Sequence, residues 1–147
     1  MNPRILIVDD HEIVRAGIRT LFGNLRPGWE ISGEASTAAE GLEAIKNLKP
    51  DIVILDITMP GMSGLEAASR IRKTGLGCRV LMFTMHESES LSAEVREAGA
   101  DGYVLKAQAA RDLILGVESI LAGGTFFGAP HIPVRSRDDG GNSSATS

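Results

Sequence analysis

The segment Asp51-Ile52-Val53-Ile54-Leu55-Asp56, followed by Pro60-Gly61 and Ser63-Gly64, constrains the fold more than any other part of the chain. Its centre is branched aliphatic with no polar alternation. That pattern suits a strand buried on both faces, as in a parallel sheet covered by helices. Asp56 stands where the strand runs out, and the Pro-Gly and Ser-Gly pairs mark a turn before the next helix. Open α/β sheets place ligands and chemistry at the carboxyl ends of their central strands. An isolated Asp there would only begin a loop, so its significance depends on what the other strand ends carry.

The same grammar recurs along the chain. Residues 4–8 form an apolar run ending at Asp9-Asp10, residues 80–83 one ending at Thr84, and residues 103–105 a short one ending at Lys106. Residues 29–35 alternate partially and predict a further strand. Between these runs, apolar residues recur at helical spacing. They are Val14, Ile18, Leu21 and Phe22; then Leu42, Ile45 and Leu48; then Leu65, Ala68 and Ile71; and finally Leu113, Val117, Ile120 and Leu121. A weaker helix is predicted over 87–98, with Gly99 as its C-cap. Ser36 or Thr37 caps the second helix, and Glu40 completes a capping box with Thr37.

Five strands alternating with five helices predict an α/β fold: a doubly wound, five-stranded parallel sheet with right-handed crossovers. At 147 residues the chain suits one domain with a sizeable core. We place that domain at residues 1–124 and expect 125–147, polar and aperiodic towards its end, to be a disordered tail or linker remnant. A net charge of -4 argues against a nucleic-acid footprint over the whole chain. Cys78 is the only cysteine, so no intrachain disulfide can form and a reducing compartment is the simplest reading. The first apolar run is cut off by Asp9, too early for a signal peptide or a membrane span. A soluble, cytoplasmic protein with no membrane partner is expected.

Parallel strands present their carboxyl ends along one edge of the sheet. That edge therefore collects Asp9, Asp10, Asp56, Thr84 and Lys106. Like charges about 4 Å apart repel by roughly 4 kcal/mol at an effective dielectric of 20. Clustered carboxylates thus retain a proton or bind a cation. Oxygen donors suit a hard ion, and Mg²⁺ takes one or two carboxylates plus a phosphate oxygen. Three Asp, one Mg²⁺ and Lys106 sum to zero, so an incoming phosphoryl group meets no net repulsion. Asp56 could then act as a carboxylate nucleophile and form an aspartyl phosphate.

These motifs (Val8-Asp9-Asp10-His11, Leu55-Asp56 through Gly64, Phe83-Thr84-Met85-His86 and Gly102-Tyr103-Val104-Leu105-Lys106) jointly resemble the receiver domain of two-component response regulators, over residues 4 to about 123. The resemblance implies the flavodoxin-like, CheY-like strand order 2-1-3-4-5, for which a member of this family is a standard example. It implies that Asp56 accepts a phosphoryl group from a sensor histidine kinase in a phosphorelay. It further implies that Asp10 binds Mg²⁺ directly, that Asp9 reaches it through water, and that the Thr58 backbone carbonyl is another ligand. Thr84 resembles the hydroxyl that swings to the phosphoryl group, Lys106 its ion-pair partner, and Tyr103 the aromatic that turns inward with Thr84. Such a domain is a switch rather than an enzyme, with self-dephosphorylation as an option.

Some positions depart from the pattern. Ala107 follows Lys106 where many receivers carry proline, which brings their cis peptide into question, since a cis bond without proline costs about 3 kcal/mol. Met85 stands where many relatives carry a small residue. His11 reads as a loop or helix-start residue beside the acidic pair, and His86 as a solvated loop residue. The Thr84-Met85-His86 motif and the ending Ala122 to Phe127 resemble the NarL/FixJ-type subgroup, whose members usually continue into a helix-turn-helix domain. No such helices follow residue 124, so a single receiver is expected. Its homodimer is a further option, its downstream partner is open, and DNA is a partner only if the chain is a fragment of a longer regulator. Two other classes are weaker. A haloacid-dehalogenase-type phosphohydrolase wants a second Asp where Thr58 stands, and a flavodoxin-like FMN binder would not place Asp9-Asp10 against a phosphate.

Overall fold

The computed structural model describes residues 2–127. Strands β1 (Arg4–Val8), β2 (Glu30–Ala35), β3 (Ile52–Asp56), β4 (Arg79–Thr84), β5 (Gly102–Leu105) and β6 (Phe126–Phe127) alternate with helices α1 (Glu12–Leu25), α2 (Ala38–Leu48), α3 (Gly64–Thr74), α4 (Leu91–Glu97) and α5 (Ala109–Leu121). They build one parallel sheet in the order β2-β1-β3-β4-β5-β6. Because strand side chains alternate, each central strand feeds two cores. Leu6, Val8, Val53, Leu55, Val80 and Met82 pack against α2, α3 and α4. Ile5, Ile7, Ile52, Ile54, Leu81 and Phe83 pack against Ile18 and Phe22 of α1 and Leu113, Val117 and Ile120 of α5.

The expected five-strand sheet is corrected to six. Phe126 and Phe127 pair in parallel with Gly102 and Tyr103, past the expected domain end at residue 124. Gly123, at φ 100°, turns the chain after α5. Gly102 leaves room for the new strand, since a Cβ there would stand 2.1 Å from the Phe126 carbonyl oxygen. Two residues are too few to show a strand period, which is why the pattern was invisible in sequence. The rest of the predicted tail, residues 128–147, lies outside the described residues.

Local signals set the helix ends. Thr37 accepts the Glu40 amide at 3.1 Å, as a cap should, while the Glu40 carboxylate reaches the amide and hydroxyl of Ser36 rather than closing the box on Thr37. Ser63 caps α3 by accepting the Glu66 amide at 3.2 Å. Helix α4 is shorter than expected, seven residues beginning at Leu91, because the polar stretch before it offers no apolar face.

Candidate functional site: an acidic pocket at the carboxyl edge of the sheet

The sheet delivers the predicted strand-end residues to one edge. Asp9 follows β1, Asp56 closes β3, Thr84 closes β4 and Lys106 follows β5. Asp9 and Asp56 are buried, at 1% and 3% exposure. Ligand atoms of Asp9, Asp10, Asp56 and His11 all lie within 4.8 Å of one another. Lys106 Nζ stands 2.7 Å from Asp9 Oδ2 and 3.4 Å from Asp56 Oδ2. The lysine thus leans towards Asp9 more than towards Asp56, and its ammonium lies 5.6 Å from the Phe83 ring centroid.

The loop after β3 is held tightly. The Thr58 amide donates to Asp56 Oδ1 at 3.1 Å, and Gly64 donates to the Ile57 carbonyl at 2.7 Å. A Cβ on Gly64 would lie 2.0 Å from the Asp56 carbonyl oxygen, so α3 can start this close to Asp56 only with glycine. Burial, seconded by the charge of Asp9, raises the Asp56 pKa to about 6; Lys106 and the Thr58 amide pull the other way.

The Asp9–Asp10 loop is anchored by a residue that sequence reasoning passed over. Arg15 donates to the Asp9 carbonyl and, through its other nitrogens, to Glu34 at 2.9 Å and Glu12 at 2.6 Å. Its position one helical turn after His11 was the available signal. His11 stands at the N-cap of α1, and the Nδ1 edge of its largely exposed ring faces the acidic pair, 3.3 Å from Asp9 Oδ1 and 3.2 Å from Asp10 Oδ1. Thr84 is buried, and its polar contacts are local: its hydroxyl donates to the His86 carbonyl at 3.5 Å and accepts the His86 amide at 3.4 Å. Tyr103 is already inward, packed edge-to-face on Phe127 with ring centroids 6.2 Å apart. Met85 is exposed. All described peptide bonds are trans, including Lys106–Ala107.

The donor set fits a divalent cation. Asp10 Oδ1 is buried without a hydrogen-bond partner, and Asp9 Oδ2, although beside Lys106, is outside hydrogen-bond geometry. Three carboxylates and one ammonium leave two negative charges, which a divalent ion would offset. Oxygen-rich surroundings of this kind suit a hard ion such as Mg²⁺. Among the described residues no helix is long and apolar enough to cross a membrane.

A doubly wound parallel sheet with an aspartate closing its central strand, two more beside it and a lysine after β5 defines a receiver-type phosphorylation module. The sequence profile of the response regulator receiver domain matches residues 5–118, and the chain belongs to that family. It is 35% identical to the response regulator UvrY of Escherichia coli K12 over 84% of this chain and 56% of UvrY. With the nitrate/nitrite response regulator protein NarL of the same organism it shares 35% identity over 88% of this chain and 60% of NarL. The chain therefore spans little more than half the length of these curated relatives. Among solved structures, a LuxR-family two-component response regulator from Aurantimonas sp. SI85-9A1 superposes with a TM-score of 0.81 at 41% identity, covering 86% of this chain and 90% of that one. The receiver domain of a putative response regulator NarL from Mycobacterium tuberculosis gives 0.77 at 31% identity, covering 83% and 98%.

Proposed function

We propose that Asp56 is the phosphoacceptor of this receiver, taking its phosphoryl group from a sensor histidine kinase in a cytoplasmic phosphorelay. The observation that carries the reading is the convergence of Asp9, Asp10, Asp56 and Lys106 in one buried pocket. In the transfer an Asp56 carboxylate oxygen attacks phosphorus. The bond from phosphorus to the kinase imidazole nitrogen breaks, its electron pair stays on that nitrogen, and an aspartyl phosphate results. Asp10 and Asp56 directly, the Thr58 carbonyl, and Asp9 through water would hold Mg²⁺, which when bound offsets charge on the carboxylates and the phosphoryl oxygens. Lys106 keeps its ammonium within reach of Asp56 and can follow the phosphoryl oxygens.

Thr84 holds its hydroxyl by two long bonds to His86 and can release it towards a phosphoryl oxygen. Tyr103 and the surface of α4, β5 and α5 would register that move as a population shift. Water attack on the aspartyl phosphate would reset the switch. In a longer regulator the output would be promoter DNA binding, with a homodimer as the active form; as a free receiver it would be contact with a protein partner. Acetyl phosphate with Mg²⁺ should add one phosphoryl group per chain, read by intact mass, and Asp56→Asn should abolish it. Label persisting on the Asn variant would overturn the assignment.

A further inference from the structure

We infer that His11 is an additional ligand of the pocket's cation, and that it tunes the site towards first-row transition ions over Mg²⁺. The inference rests on the metal-binding reading above. Nδ1 of His11 lies 3.2 Å from Asp10 Oδ1 and 3.3 Å from Asp9 Oδ1. Two ligands at right angles on an ion with bonds of about 2.1 Å stand about 3.0 Å apart, so the nitrogen and Asp10 Oδ1 already have the spacing of neighbours in one coordination shell. A plain hydrogen bond accounts for less. Nδ1 has hydrogen-bond geometry only with Asp9 Oδ1, an oxygen that already accepts the His11 amide at 2.9 Å. Asp10 Oδ1, equally near the ring, is buried with no hydrogen-bond partner at all. A cation set between Nδ1 and Asp10 Oδ1 would satisfy both.

The ring is free to take this part. It is 62% exposed, and His11 begins α1 with no side-chain cap bond, so its removal leaves the helix start intact. An imidazole nitrogen adds little for Mg²⁺, which prefers oxygen, and much for ions later in the series from Mn²⁺ to Zn²⁺. The test is pulsed electron paramagnetic resonance on the Mn²⁺-loaded protein, with Mn²⁺ and Mg²⁺ affinities measured by calorimetry on wild type and His11→Ala. Expected are ¹⁴N modulation in wild type that disappears in His11→Ala, and a roughly tenfold loss of Mn²⁺ affinity against less than about threefold for Mg²⁺. Absence of nitrogen modulation in the wild type, or equal weakening of both ions, would overturn the inference. Acetyl phosphate labelling on the same preparation separates the two readings. A protein that labels on Asp56 without nitrogen coupling overturns the role of His11 alone, whereas one that does not label overturns the phosphoacceptor reading beneath it.

Discussion

The two edges of the sheet use the same residue type in opposite ways. At the amino edge, Asp51 Oδ2 accepts the Arg4 amide at 2.8 Å and Asp101 Oδ2 accepts the Val80 amide at 2.9 Å. Arg79 donates to the Ile120 carbonyl, and Arg26 meets Glu118 at 2.9 Å. Of these charges, Asp51, Arg79 and Glu118 line, with Trp29 and others, a cavity of about 490 Å³. Each of these named charges has a partner, and the aspartates finish strand hydrogen bonding that the backbone leaves open. At the carboxyl edge the aspartates face one another, and a single lysine is shared between two of them. An aspartate that receives amide protons holds the fold together. One left among other carboxylates stores electrostatic tension that a cation can relieve.

The largest contrast should come from exchanging the charge at each edge. Asp10→Ala should reduce Mg²⁺-dependent labelling by acetyl phosphate about a hundredfold, an effect typical of losing a main electrostatic contact to a transferring group. Asp51→Ala should leave the labelling rate within about twofold, since its carboxylate serves only backbone at the far edge. Similar losses from both substitutions would mean that the edges are not functionally distinct.

The second contrast is in stability. Burial and Asp9 raise the pKa of Asp56 from 3.8 to about 6. At Asp56 the folded state therefore holds a proton more tightly than the unfolded chain, so between about pH 4 and pH 6 its contribution to stability falls as pH rises. Above pH 6 the ionised Asp56 costs on the order of 3 kcal/mol relative to a neutral isostere, at about 1.4 kcal/mol per pKa unit. Asp56→Asn should thus raise the urea midpoint of the metal-free protein at pH 8 and barely change it at pH 4. Added Mg²⁺ should stabilise wild type at pH 8 and narrow the gap. A variant destabilised at pH 8 would show that Asp56 is compensated after all. For Asp101→Ala the sign reverses: about 1–3 kcal/mol is lost, because the Val80 amide keeps its burial and loses its acceptor.

Why the carboxyl edge was legible in sequence follows from the same contrast. Asp9, Asp56, Thr84 and Lys106 each terminate an apolar run, and a parallel sheet brings such termini together whatever the lengths between them. The family profile confirms the receiver domain those termini suggested. What stayed hidden depends on side-chain direction. Nothing in the pattern says that Lys106 lies nearer Asp9 than Asp56, that Arg15 reaches back to the Asp9 carbonyl, or that His11 brings Nδ1 beside both aspartates. The sixth strand was hidden for another reason. Phe126 and Phe127 divide between the two cores, and Phe127 carries Arg96 over its ring at 3.7 Å, but two residues cannot display a period.

The smallest expected effect belongs to the amino edge and marks the limit of the comparison. Arg26 pairs with Glu118 across 92 residues of sequence, and its guanidinium lies 5.9 Å from the Trp29 ring centroid. Both partners of the ion pair are more than 40% exposed. Water and salt screen such a pair, whose worth is about 0–1 kcal/mol. Arg26→Ala should therefore shift the urea midpoint only slightly, with most of that shift gone at about 1 M salt, where the Debye length falls to about 3 Å. A larger, salt-independent loss would mean that the stem of Arg26 packs on Trp29 as core, and that this edge is held by apolar contact more than by its charges.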